Sequence, residues 1–408
     1  MSLSYSRGVT RDITRGITRR NLLRVAGGAA LAVPALSALS PDAFAESIDA
    51  VADTAAAGGL PLAVVNRSGE FNNSSVHVYI VGTRNGRPVR VTRRGKAVPI
   101  HVSDNEANGF TDYAIPLNGQ GATRLSLPRM SGRIYVSLGK KLKLKVVLDG
   151  NGRPALQQPA GWVKSDPNYP VLHDCVEFTY DADGMFCNTT MVDMFSVPMS
   201  LKLTGRGQHT TGAIKNGGRA NAFAAVRRAD AFARLAVRDL RIIAPGHGLD
   251  AGLFPKHYFD PYTDKVWRRY AERDLRVRTN AGLYTGRVAG GRLTFRGPAT
   301  LTFDKPSTRD VLFCDGSLAA PNDGIRGPVA AALGAGFNRS VLLRNSAQPT
   351  TDPSTFYDVP VTNHYAKAIH AAARNGKAYG FPFDDVGNHA TYIQDLAPRQ
   401  LQLTITPF

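Results

Sequence analysis

The chain has 408 residues, 43% of them hydrophobic and 20% charged, which supplies a sizeable core and excludes a disordered chain. Lys and Arg number 50 against 32 Asp and Glu, a net charge of +18, yet the cations are scattered, with no cluster beyond Lys140 to Lys145 and no zinc, helix-turn-helix or RNP signature. That pattern argues for a solvated basic face that adheres to anionic cell walls, and against a nucleic-acid partner. The three cysteines, Cys175, Cys187 and Cys314, form no CxxC pair and are too few to staple a chain this long, so core packing must stabilise it.

Residues 1–24 carry Arg7, Arg11, Arg15, Arg19, Arg20 and Arg24 against Asp12 alone, and a mildly apolar stretch from Val25 to Leu39 follows. This is a signal-peptide layout. Arg19-Arg20 before Asn21-Leu22-Leu23 resembles a twin-arginine export signal, and Ala43-Phe44-Ala45 offers a cleavage site that starts the mature chain at Glu46. The apolar stretch is shorter than the roughly 20 residues that span a bilayer. The expectation is a secreted, extracellular bacterial protein with a signal peptide over residues 1–45, a linker over 46–59 and no stable membrane association.

Short β-type runs bounded by turn residues come next: Leu60 to Val65, Val76 to Gly82, Val98 to Val102, Thr111 to Leu117, Ala122 to Leu127, Arg133 to Leu138 and Leu142 to Leu148. Lys141, Lys143 and Lys145 alternate with Leu142 and Leu144, as a half-buried strand requires. Further strands are predicted at Val176 to Tyr180 and Met199 to Leu203. From Arg219 to Val237 apolar residues recur near helical spacing, as they do over Pro261 to Arg273 and Thr362 to Ala373. Strands return at Ala378 to Phe383 and Gln400 to Thr406. The fold class read from this order is β-rich with α/β: a barrel or sandwich over residues 60–205 plus 376–408, and a mixed α/β lobe over 206–375. A groove between the two is the default binding site.

The informative segment is DPNYPVLHDCVEFTYDADGMFCNTTMVDMFSVPMSLKL, residues 166–203. Glu177 and Thr179 share one face of a strand whose other face, Val176, Phe178 and Tyr180, reads as core. Asp193 lies in the apolar run Met191-Val192-Asp193-Met194-Phe195, where an ionised carboxylate is costly unless it is partnered or faces a wet cleft. Two carboxylates in apolar settings suit glycoside hydrolysis, with one as general acid and the other activating water or attacking the sugar. Pairing of both with arginines is the alternative that spacing leaves open.

The run VEFTYDADGMFCNTTMVDMFSVPMSL is similar to the signature of glycoside hydrolase family 64, the β-1,3-glucanases, and SDPNYP, RDVLFCDGSLA and AYGFPFDDVGNHAT extend the resemblance over most of the chain from Leu60. The resemblance implies a thaumatin-like β-domain plus an α/β lobe flanking a wide groove, and inverting hydrolysis of β-1,3-glucan, such as laminarin or curdlan, to short oligosaccharides. No cofactor or metal is implied, and a monomer is expected. On the matching positions Glu177 is the general acid and Asp193 the general base; Thr179, Asp181, Phe186 and Thr190, with Asp384 and Asp385 from the later stretch, fall where the groove contacts sugar. The rival reading is a non-catalytic β-glucan or cell-wall binding protein, against which the presence of both carboxylates argues. Gly205-Arg206-Gly207 and Gly334-Ala335-Gly336 do not complete GxGxxG and read as turns.

Overall fold

The computed structural model describes residues 59–408. The expected signal peptide, and all but the last residue of the expected linker, lie outside the described residues. An eight-stranded sheet runs in the order Tyr392–Asp395, Gly184–Asn188, Leu172–Asp181, Met130–Leu138, Val76–Arg84, Arg87–Val91 and Ala97–Pro99, with Ile115–Pro116 pairing beside Val76–Arg84. A five-stranded sheet has the order Gln208–Thr210, Met199–Thr204, Gln400–Ile405, Leu60–Asn66 and Thr123–Leu127. The two sheets bury one face each in a common core. Val78, Ile80, Ile134, Val136, Val176, Phe178 and Cys187 come from the first, and Leu62, Val64, Leu125, Leu201, Leu403 and Ile405 from the second. Period-two alternation sends these residues inward and their neighbours outward. Neither sheet closes on itself, so the arrangement is a sandwich and not a barrel.

Residues between Met191 and Ala378 build a second core around helices Gly218–Arg228, Asp260–Glu272, Arg326–Asn338 and His364–Ala372. A second five-stranded sheet, Leu301–Phe303, Arg292–Arg296, Gly282–Ala289, Leu275–Thr279 and Ala347–Gln348, packs its apolar face on that core.

The predicted strands at 60, 76, 122, 133, 176, 199 and 400 are all present, with ends shifted by a few residues. Lys141 to Lys145 alternate in burial as expected, but only Lys145–Leu148 joins a ladder. Three expectations fail for identifiable reasons. The helix expected over Arg219 to Val237 ends at Arg228, because Ala229 turns extended; a 3-10 turn, Asp230–Leu235, then keeps Phe232 and Leu235 inward. Gly334 and Gly336 sit within helix Arg326–Asn338 and not in a turn: a Cβ on either would strike the Cys314 Sγ or the Leu342 side chain. That helix is buried nearly all round and so shows no amphipathic period. The strand expected at Ala378 to Phe383 is an irregular loop, and Tyr392–Asp395 is the strand instead.

The loop is held by a buried ion network. Asp384, fully buried, accepts from Arg339 Nη2 at 3.1 Å, from His370 Nε2 at 2.8 Å and from the Gly380 amide at 3.0 Å. Burial by itself would raise this carboxyl; His370 and Arg339 outweigh it and hold it below the usual range. Arg339 also donates to the Val386 carbonyl at 2.7 Å. Phe383 and Asn388, at φ 67° and 60°, take the left-handed conformation that no strand contains.

Removing one partner from such a network leaves a charge stranded in the interior. Asp384→Ala is expected to destabilise the protein by about 3–5 kcal/mol, and Asp384→Leu with Arg339→Met to recover part of that loss, both read by calorimetric unfolding. A second outcome concerns His173, fully buried and donating from Nδ1 to the Val171 carbonyl at 2.8 Å. Burial and then the Arg241 charge push its pKa down to about 3. A depressed histidine contributes stability that is full above its unfolded pKa, roughly 6.5, and is lost as pH falls toward the folded value. His173→Asn keeps a donor for Val171 and cannot take the proton, so its stability should decline less steeply between those pH values.

Candidate active site

Strand Leu172–Asp181 lies between Met130–Leu138 and Gly184–Asn188, and the register sets Arg133 and Asn188 on either side of Glu177. All three project from the face opposite the sandwich core, because Val176 and Phe178 occupy that core. Arg133 donates to Glu177 Oε1 from Nε at 3.3 Å and from Nη2 at 3.2 Å, and Asn188 Nδ2 reaches Oε2 at 3.4 Å. The Glu177 side chain is only 13% exposed.

Asp193 follows strand Gly184–Asn188, just before Met194–Phe195, and several tethers place it. Its carbonyl accepts from the Ala244 amide at 3.0 Å, and Met191 is pinned by Tyr365 Oη at 2.6 Å and by the Tyr379 carbonyl at 2.8 Å. Beyond it, the buried Asp174 accepts from Ser196 and Val197 amides at 2.8 and 3.2 Å, and from Cys175 at 3.0 Å. Asp174 therefore ties the strand of Glu177 to the segment after Asp193; burial lifts its pKa to about 7 in spite of those donors.

The carboxylate of Asp193 meets two partners. Oδ1 lies 2.8 Å from His247 Nε2, and Oδ2 lies 3.6 Å from Arg133 Nη2. One guanidinium nitrogen thus touches both carboxylates. The separation of Glu177 Oε1 and Asp193 Oδ2 is bounded by the sum of 3.2 and 3.6 Å, which admits only the short end of the roughly 6.5–9.5 Å that inversion requires. Burial tends to discharge Arg133, but Tyr135, Cys175, Glu177 and Asp193 around it raise its pKa well above the ordinary value, so the cation is permanent.

His247 stands on the short helix Pro245–Asp250, its ring stacked on Trp162 at 4.2 Å and 20° and edge-on to Phe313 at 5.7 Å. A Cβ at Gly246 would approach the Phe313 ring to 2.9 Å, which is why a glycine precedes His247. Two small hollows meet at Asp193. One is lined by His247, Phe313, Asn363, Phe381 and Pro382, the other by Arg133, Tyr135, Trp162, Thr190 and Met194.

The remaining sequence-derived candidates fall in two groups. Thr179 lies one step along the strand from Glu177, and Phe186 is directly opposite Thr179, outside the sandwich core. Asp181 ends the same strand and accepts from the Asp183 amide at 2.9 Å, while Thr190 is 7% exposed beside Asp193. Asp384 does not reach this surface: it is the buried anchor of the 380–391 loop. Asp385 is half-buried, takes a bond from Tyr379 Oη at 3.3 Å and is raised by burial to about 6. The alternative of arginine pairing holds geometrically for both central carboxylates, through Arg133.

Sequence reasoning missed Arg133, Trp162 and His247. Arg133 had a signal, a cation at the start of an apolar strand. His247 and Trp162 are isolated residues far from the motif, and only folding brings them to Asp193. Cys175, Cys187 and Cys314 are buried and none is bridged in a disulfide, and among the described residues no group of three or more His, Cys, Asp or Glu could hold a metal ion.

A β-1,3-glucanase model, glycoside hydrolase family 64, matches residues 58–405. Glucan endo-1,3-β-glucosidases of an Arthrobacter species and of Cellulosimicrobium cellulans are each 33% identical to it over 86% of this chain, which spans 65% of the length of either relative. A laminaripentaose-producing β-1,3-glucanase crystallised with laminaritetraose superposes with a TM-score of 0.77 at 36% identity, covering 86% of this chain and 99% of that one. The β-1,3-glucanase domain from Clostridium beijerinckii gives 0.76 at 28% identity, with the same coverage of both chains. The chain belongs to glycoside hydrolase family 64, the β-1,3-glucanase family.

Proposed function

We propose that this protein is a secreted hydrolase of β-1,3-glucan that works by inversion, with Glu177 as general acid and Asp193 as general base. The observation that carries the reading is the facing of these two carboxylates across one guanidinium, in a chain of this family. Glu177 protonates the leaving glycosidic oxygen. Asp193 takes a proton from the water that attacks the anomeric carbon on the opposite face.

Arg133 has to change partners for this to run. Beside Glu177 it opposes the proton that a general acid must carry; beside Asp193 it favours the charged form that a base needs. Entry of the sugar between the carboxylates breaks the shared contact, and the guanidinium follows Asp193 while Glu177 gains its proton. His247, donating from Nε2, fixes one oxygen of Asp193 and leaves the other for water. Thr179, Asp181 and Thr190 offer hydrogen bonds to sugar hydroxyls, and Phe186 covers an apolar sugar face. They line the groove between sandwich and helical lobe in a thaumatin-like arrangement, and short oligosaccharides leave as products. Asp385, half-buried in the 380–391 loop, contacts sugar only at the rim, and Asp384 acts by holding that loop.

Proton NMR of fresh products from laminarin and curdlan checks the assignment. Short β-1,3 oligosaccharides with α-anomeric ends are expected from the wild type, and activity lower by about 10²-fold or more in both Glu177→Gln and Asp193→Asn. Glucan binding without sugar release by the wild type would leave a wall-binding protein. A β-anomeric product would replace inversion by retention. His247→Ala is expected to lower kcat by roughly 10²-fold with little change in KM, because it loosens a reacting group without touching substrate. His247→Gln, which keeps a donor, should restore part of that rate; a KM effect in place of a kcat effect would assign His247 to substrate binding.

A further inference from the structure

The sheet of the helical lobe has an outer face that hydrolysis does not use. Strands Leu275–Thr279, Gly282–Ala289, Arg292–Arg296 and Leu301–Phe303 alternate strictly, so that Leu275, Val277, Tyr284, Leu293, Phe295, Leu301 and Phe303 are buried. The outward positions hold Arg276, Arg278, Arg287, Arg292 and Arg296, interleaved with Thr285, Thr294 and Thr302. Two of these arginines are neutralised at one end of the sheet, Arg287 by Asp274 at 2.9 Å and Arg292 by Asp304 at 2.8 Å.

The other three have no ion pair among the described residues, and the register gathers them. Arg276 and Arg296 flank Thr285 across three strands, and Arg278 sits beside Leu283, which is 41% exposed. Strand geometry puts Arg276 and Arg278 about 6.8 Å apart and Arg276 and Arg296 about 10 Å apart, measured at the backbone. Like charges at such spacing add to one positive field, which salt screens and a polyanion neutralises.

We infer that this face binds an anionic polysaccharide, a glycan carrying carboxylates along its chain. The guanidinium forks pair with carboxylates two bonds at a time. The threonine hydroxyls meet sugar hydroxyls, and Leu283 meets the apolar face of a ring. Nucleic acid fits less well, because Tyr284, Phe295 and Phe303 point inward and leave no aromatic ring on the face for bases to stack on. The inference does not depend on the assignment of Glu177, which lies on another sheet, or of Asp193, which lies outside any strand. The face would hold the protein on a charged matrix while the groove works on a neutral glucan.

The test is binding of the full chain to polygalacturonate at low and high salt. Arg276→Ser/Arg278→Ser/Arg296→Ser is compared with a variant of equal charge loss, Arg84→Ser/Arg94→Ser/Arg129→Ser, whose sites are exposed on or beside the sandwich. Wild type and control should bind alike, while the face variant binds about tenfold or more weakly, with unchanged thermal unfolding and a smaller salt dependence. Equal weakening in both variants would show net charge alone at work and overturn the inference, as would absence of binding by the wild type at low salt. Tighter binding of a single-stranded DNA oligomer, lost in the face variant only, would overturn it in favour of a nucleic-acid surface.

Discussion

Everything at the centre of this protein turns on one guanidinium between two carboxylates. Glu177 and Asp193 are both largely withdrawn from water, and two such anions at close range oppose each other's ionisation. Arg133 is placed by backbone register, directly across from Glu177 in the adjacent strand, so no loop movement is needed to hold it there. Its charge cannot be titrated away in any accessible pH range. The same nitrogen of Arg133 stands 3.2 Å from Glu177 and 3.6 Å from Asp193, so the charges of the two carboxylates are balanced through one side chain.

The two carboxylates are positioned by different kinds of structure. Glu177 is in the middle of a strand with paired strands on both sides, among the most rigid settings a protein offers. Asp193 lies outside any strand and owes its place to the Ala244 amide, His247, Tyr365 and the Asp174 clamp, several of which belong to the helical lobe. The buried Arg339–Asp384–His370 network acts on the same side, fixing the loop whose Phe381 and Pro382 line the hollow next to Asp193.

How much of this was legible in the sequence follows from which interactions are local. Alternation in VEFTY marked Glu177 and Thr179 as facing away from the core, and both do; strands with one buried face, such as Leu60–Asn66, were legible for the same reason. Asp193 stood out as a carboxylate in an apolar run. Helix Arg326–Asn338 was not legible, since a helix buried on every side has no period to find. Ala378 to Phe383 read as a strand because Ala378, Phe381 and Phe383 are apolar; their burial serves a loop wound around Asp384, and no local rule distinguishes the two. Asp384 itself illustrates the limit of carrying roles over from a motif: resemblance put it among residues that contact sugar, and its partners Arg339 and His370 come from the ends of two helices, 45 and 14 positions earlier.

His247 shows why isolated residues escape sequence reading even when they touch a candidate catalytic group. It lies 54 positions from Asp193, with no second histidine at metal or triad spacing to draw attention. Three independent constraints nevertheless meet on its ring: the stack on Trp162, the edge of Phe313 and the 2.8 Å contact to Asp193. A ring held on two sides by aromatics has little rotational freedom left, so its Nε2 is aimed before substrate arrives. The Asp193 orientation is then set by the stacking of His247 on Trp162 and not by the Asp193 loop itself, and a substitution that disturbs Trp162 acts on Asp193 without touching a charge.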